Sequence, residues 1–378
     1  MRHSALIPAA FAFLLLLPAV ARADEIGTTP AMAASPAPDV AAGSASETSS
    51  HPTRELWFAK DPPRDWAVLY GGLRPHLGTF GGIAALSLVQ SRTERFYGVL
   101  SLALVRNDAG THASALQLAI GRNLSDSFYG AAQLSVAENR ARNFVGLGQL
   151  TLAYNRAGDI LALTQLAAFN RARAFSGLLQ AGGYNRADER FTGLAQVGLF
   201  NAAGCDVFDS DRSTGRFEGL AQLGLTNVSG DFRGVAQLGA LAYASDRFAG
   251  VFQIGGLAAI SKHFAGLAQI GAYVQSQESY GAQLGVFNLA TESHHGLQVG
   301  VVNVAEEVKG VQIGLFNRAK RLRGVQIGLV NNADDGVLTW TTLLNVGFGD
   351  GGNDGTDDTP SGPLAPDAAR ATSARPAL

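Results

Sequence analysis

From residue 73 to residue 348 two kinds of stretch alternate. Uncharged runs such as Gly193-Leu-Ala-Gln-Val-Gly-Leu-Phe-Asn201 are separated by short charged ones such as Asn185-Arg-Ala-Asp-Glu-Arg-Phe191. Charges recur at the junctions and avoid the runs, which is how turns alternate with strands. Glycine recurs two residues after most of the central glutamines, and each would weaken a helix by about 1 kcal/mol. A period of two puts Ala195, Val197, Leu199 and Asn201 on one face and Leu194, Gln196, Gly198 and Phe200 on the other. The first face is aliphatic up to its closing asparagine, and the second mixes an amide, a glycine and an aromatic. The pattern predicts an all-β chain whose aliphatic face is hidden from water.

The central glutamine measures the repeat. It falls at Gln117, Gln133, Gln149, Gln165, Gln180, Gln196, Gln222, Gln237, Gln253, Gln269, Gln283, Gln298, Gln312 and Gln326, in steps of 14 to 16 residues with one step of 26. Ala85 and Ser101 continue the rhythm upstream, and Leu338 to Phe348 continue it downstream with Asn345. Such a period means stacked or arrayed β units. Two geometries fit. In an antiparallel meander each unit is one strand, and about 16–18 strands would close into an outer-membrane-type β-barrel. Its aliphatic face would meet lipid, and Gln180 to Gln326 would line the lumen. In a three-sided β-solenoid each unit is one coil of five residues per side. There the asparagine five residues after the glutamine (Asn170, Asn185, Asn201) stacks as a ladder. Steps that vary in length favour hairpin turns, so the barrel is the first expectation and the solenoid the alternative.

Residues 1–23 read as a secretory signal: Arg2 and His3, an apolar stretch from Ala9 to Val20, and Ala21-Arg-Ala23 before Asp24. Residues 24–54 form an Ala/Pro/Ser linker expected to be disordered, residues 55–72 a lead-in or cap, and residues 349–378 a Gly/Asp/Pro/Ala tail. The 26-residue step holds an insertion at residues 204–215. A net charge of −2 gives no electrostatic case for nucleic acid. The expected location is the outer membrane or cell surface of a Gram-negative bacterium, with the lipid bilayer as partner.

The doubled phrase Gly310-Val-Gln-Ile-Gly-Leu-Phe-Asn317 and Gly324-Val-Gln-Ile-Gly-Leu-Val-Asn331 resembles the bacterial surface-repeat proteins of spirochaete type. So does the ending Leu344-Asn-Val-Gly-Phe348. The resemblance implies an exported, surface-associated protein and no enzyme; alanine or serine replaces the phrase's glycine at Ala119 and Ser135. The candidates for chemistry are few. Asp206, Asp209 and Asp211 place oxygen ligands on a loop but lack the spacing of a calcium loop. His294-His295 reads as an exposed turn, Cys205 has no patterned histidine partner, and no cofactor motif is present. The glutamine column is the one unusual chemical feature, either a structural amide ladder or a lumen lining.

Overall fold

The structure is a computed structural model, and it describes residues 64–204 and 215–348, the first three of them by backbone only. Residues 1–63 and 349–378, which include the expected signal, linker and tail, lie outside it. The described strands are β1 (Arg64–Gly72), β2 (His76–Ser87), β3 (Gln90–Ala103), β4 (Arg106–Ala119), β5 (Arg122–Leu134), β6 (Glu138–Leu150), β7 (Tyr154–Ala203), β8 (Arg216–Leu223), β9 (Thr226–Ser229), β10 (Asp231–Arg233), β11 (Ala236–Ala249), β12 (Phe252–Val299), β13 (Val302–Ile313), β14 (Phe316–Ala333) and β15 (Trp340–Phe348). All lie in one sheet. The pairings from β1 to β14 are parallel; β15 alone runs antiparallel to its neighbour, β14.

This overturns the antiparallel barrel and selects the alternative: the chain is a parallel β-solenoid of about 16 turns. In a meander, successive repeats would meet head to tail. Instead Gln196 lies opposite Gln222, Arg190 opposite Arg216 and Asn201 opposite Asn227. Buried residues recur at intervals of five or six, as in Phe144, Gln149, Asn155, Ile160, Gln165, Asn170, Phe175, Gln180 and Asn185. Three inward anchors per coil, with chain bending between them, give a three-sided coil. Its columns are aromatic, glutamine and asparagine. A fourth inward column, of Ala and Ser, follows the asparagine by two residues, as at Ala141, Ala157, Ala172, Ala187 and Ala203.

The varying step length is absorbed at the corners. Phe175, Gln180 and Asn185 stand five residues apart. The upstream 16-residue coils add one residue between glutamine and asparagine, as from Gln117 to Asn123 and from Gln133 to Asn139, whereas the coil from Gln180 to Gln196 adds it between Asn185 and Phe191. The 14-residue coils remove one before the glutamine, as from Val308 to Gln312 and from Leu322 to Gln326. At that tightened corner Gly310 and Gly324 adopt φ of 147° and 148°. This is a region L side chains rarely enter. A Cβ there would lie 2.0 and 1.9 Å from the carbonyl oxygens of Gly296 and Gly310. The glycine two residues after the glutamine meets backbone and an amide together. A Cβ on Gly198 would stand 2.2 Å from the carbonyl oxygen of Gly182 and 2.6 Å from the Asn185 amide nitrogen, both of the preceding coil. The upstream coils, with six residues from Gln117 to Asn123 and from Gln133 to Asn139, carry Ala119 and Ser135 instead.

The interior is filled column by column. Phe175, Phe191, Phe217, Phe232 and Phe248 stack in series with ring centroids 4.8–5.0 Å apart and planes within 3° of parallel. Such pairs add about 0.5–1.5 kcal/mol each beyond area burial. In the narrower C-terminal coils the column passes to Ser279, His294, Val308 and Leu322, all fully buried. The insertion leaves the stack undisturbed: Gly204, at φ 72°, accepts a hydrogen bond from Gly215 N at 3.2 Å, and the columns on either side stay in register.

Candidate functional site

The glutamine column is a continuous internal chain of amides. Each Nε2 donates to the Oε1 of the preceding coil, from Gln133 to Gln117 at 2.7 Å through to Gln326 to Gln312 at 2.8 Å. Gln180, Gln196, Gln222, Gln237, Gln253, Gln269, Gln283, Gln298 and Gln312 carry it without a break at 2.7–3.0 Å. All are fully buried. Asn345 of β15 closes the chain by donating to Gln326 Oε1 at 3.3 Å. No lumen exists for these glutamines to line. A buried amide costs several kcal/mol when unpaired, so the column is tolerable only because each member satisfies the next.

The asparagines form a second chain of opposite sense. Asn123 donates to Asn139 Oδ1 at 2.9 Å, and the pattern continues to Asn227 and again from Asn288 to Asn331. Most also donate to a backbone carbonyl of the next coil, as Asn185 does to Val197 O at 2.8 Å. Each asparagine therefore satisfies backbone at the corner where the chain bends.

The outward surface over the glutamine column is the feature with functional content. The six residues from two before to three after each glutamine position, from Ile83–Leu88 through Gly324–Leu329, contain no charged residue in any of the 16 coils. The position after the glutamine is Leu, Ile, Val or Ala throughout, as in Leu102, Val197, Ile254 and Ile327. The flanking corners are more open: Leu194 is 48% exposed, Leu199 60% and Leu225 53%. The fold itself does not hide these aliphatic residues from water, and the two faces expected from strict alternation are corrected. The corners reset the two-residue alternation, so Leu194, Val197 and Leu199 all point outward around the inward Gln196. Charges gather instead on the other sides, in pairs such as Arg173 with Glu189 and Arg321 with Glu307.

The remaining sequence candidates fare differently. Asp206, Asp209, Asp211 and Cys205 lie outside the described residues. His294 is no exposed turn residue; it is buried in the aromatic column, where its Nδ1 meets Ser279 Oγ at 2.5 Å. Burial, and then the charge of His295, push it down to about 4. His112 is sandwiched between Phe96 and Phe128, without a partner for either ring nitrogen, and burial pushes it down to about 3. Both histidines are sealed from solvent, so neither can serve a substrate. Among the described residues no group of three His, Cys, Asp or Glu side chains could hold a metal ion. The aromatic column was readable in the sequence, since Phe175, Phe191, Phe217, Phe248 and Phe264 each stand five residues before a glutamine.

Fold and surface define a parallel β-solenoid with amide-laddered core and one uncharged side. No protein-family model, curated protein or solved structure matches the chain.

Proposed function

We propose that this chain is an exported, non-catalytic scaffold of the bacterial cell envelope, attached by its uncharged side to a lipid surface. The observation that carries the reading is the 16-coil surface without a charge. Coils rise by about 4.8 Å and six residues span about 20 Å, so the surface covers on the order of 1,000 Å². Soluble monomers rarely leave more than a few hundred Å² of contiguous apolar surface open. The ladders behind it hold the surface rigid. The signal-like residues 1–23 and the surface-repeat resemblance support export.

Flotation of the full mature chain with phosphatidylcholine vesicles tests the reading. The chain should rise with the vesicles, and Leu199→Arg with Leu225→Arg should leave it at the bottom while preserving its β circular dichroism. A chain that stays at the bottom as a discrete dimer would assign the side to a second copy and overturn the lipid reading.

A further inference from the structure

On a different side of the solenoid, two outward rows flank the buried Ala/Ser column. Arg92, Asp108, Leu124, Arg140 and Arg156 stand in successive coils along the first row. The second, two residues further along each coil, carries Glu94, Gly110, Asp126, Arg142 and Gly158. Between them lies a trough of about 700 Å³ lined by these residues together with Arg106.

The first row continues to Arg171 and Arg186, and there the molecule shows what its arginines take. Asp188, in the second row, accepts from Arg186 Nε at 2.6 Å and from Arg171 Nε at 3.1 Å. One carboxylate thus bridges the arginines of two adjacent coils. Two coils upstream the same pair of positions is Arg140 and Arg156, directly opposite each other in register. The position corresponding to Asp188 is Gly158. Among the described residues neither Arg140 nor Arg156 has an ion-pair or hydrogen-bond partner. Two acids of the trough are engaged elsewhere, Asp108 with Arg106 at 2.7 Å and Asp126 with Arg142 at 3.5 Å, and a third, Glu94, belongs to a coil three before that of Arg140. Like charges opposite each other in a sheet are unfavourable without a counter-charge. Gly158 carries no counter-charge, and a Cβ built there would stand 2.3 Å from the carbonyl oxygen of Arg142.

We infer that the trough binds an oxyanion-bearing ligand, carboxylate or phosphate, whose anionic group sits beside Gly158 and bridges Arg140 and Arg156 as Asp188 bridges Arg171 and Arg186. Guanidinium forks pair with both anions through charge-assisted hydrogen bonds. The site stands apart from the uncharged side and does not rest on the lipid reading.

The experiment titrates the full mature chain, at low ionic strength, with pyrophosphate and with citrate by calorimetry. Flotation with phosphatidylcholine vesicles, with and without phosphatidate, runs in parallel on the Leu199→Arg, Leu225→Arg chain, to separate a headgroup from a soluble anion. At least one anion should bind saturably at one site. Arg140→Gln with Arg156→Gln should weaken it at least about tenfold, while Arg233→Gln leaves it unchanged. Binding only to phosphatidate vesicles, lost in the Arg140→Gln, Arg156→Gln chain, supports a headgroup oxyanion. Absence of binding in every arm, or binding indifferent to Arg140→Gln with Arg156→Gln, overturns the inference.

Discussion

At the scale of single residues, stability rests on buried polar groups that succeed only as members of a series. Gln196 donates to Gln180 at 2.7 Å and accepts from Gln222 at 2.8 Å. Gln196→Leu therefore orphans one acceptor and one donor at once. It should cost about 2–4 kcal/mol in urea unfolding, more than the same change at an exposed position. His112 makes a second prediction. Its folded form favours neutral imidazole, held down to about 3 against an ordinary 6.5. The stability this gives is complete above about pH 6.5 and is lost as pH falls from there towards 3. His112→Phe, which completes the stack between Phe96 and Phe128, should flatten that part of the profile of melting temperature against pH. An unchanged acid slope would show that His112 is not the group responsible.

At the scale of the coil, the corners decide what length a repeat can have. Gly310→Ala or Gly324→Ala places a Cβ against backbone at a φ closed to alanine. Either should lower stability by roughly 2–4 kcal/mol. Gly71→Ala, with open space around its Cβ, should be nearly silent. Thermal unfolding of the three variants compares them directly. The corners also explain how far the sequence could be read. Its extended character, its repeat and the stacking of Asn170, Asn185 and Asn201 were visible in composition and spacing. The bends were not. A straight run through Gly193 and Gly198 assigns Leu194 and Leu199 to opposite faces, yet both point outward. Under strict alternation, lipid around a barrel is the natural cover for the aliphatic residues. Steps of 14 to 16 suggest hairpin turns over stacked coils, whereas the coil adds or drops a residue between anchors and keeps all three columns in register. The oxyanion trough was invisible for a similar reason: Arg140, Arg156 and Gly158 meet only when coils of 16 residues lie in parallel register.

At the scale of the molecule, the solenoid sorts its surface lengthwise. One side is apolar along every coil, and the charged pairs occupy the others. Local pairing between neighbouring coils makes stability a sum of nearest-neighbour terms. Damage at Gln196 should therefore open the flanking coils before the ends, which hydrogen exchange would detect as lost protection spreading from residues 180 to 222. The closing strand Trp340–Phe348 reverses direction on the last parallel coil and occupies an edge that would otherwise be open to another chain. Removing it should promote self-association, seen as a rise in mass by light scattering.

Parallel stacking of consecutive repeats is the claim on which the ladders, the uncharged side and the trough all depend. Spin labels at Arg190 and Arg216, in a Cys205→Ser background, test it through dipolar broadening of the continuous-wave spectrum. The two residues are opposite each other in register, so their backbones should lie about 5 Å apart and the labels should broaden each other strongly. Sharp, uncoupled spectra would place them at the far ends of neighbouring antiparallel strands, about 40 Å apart, and would contradict the account.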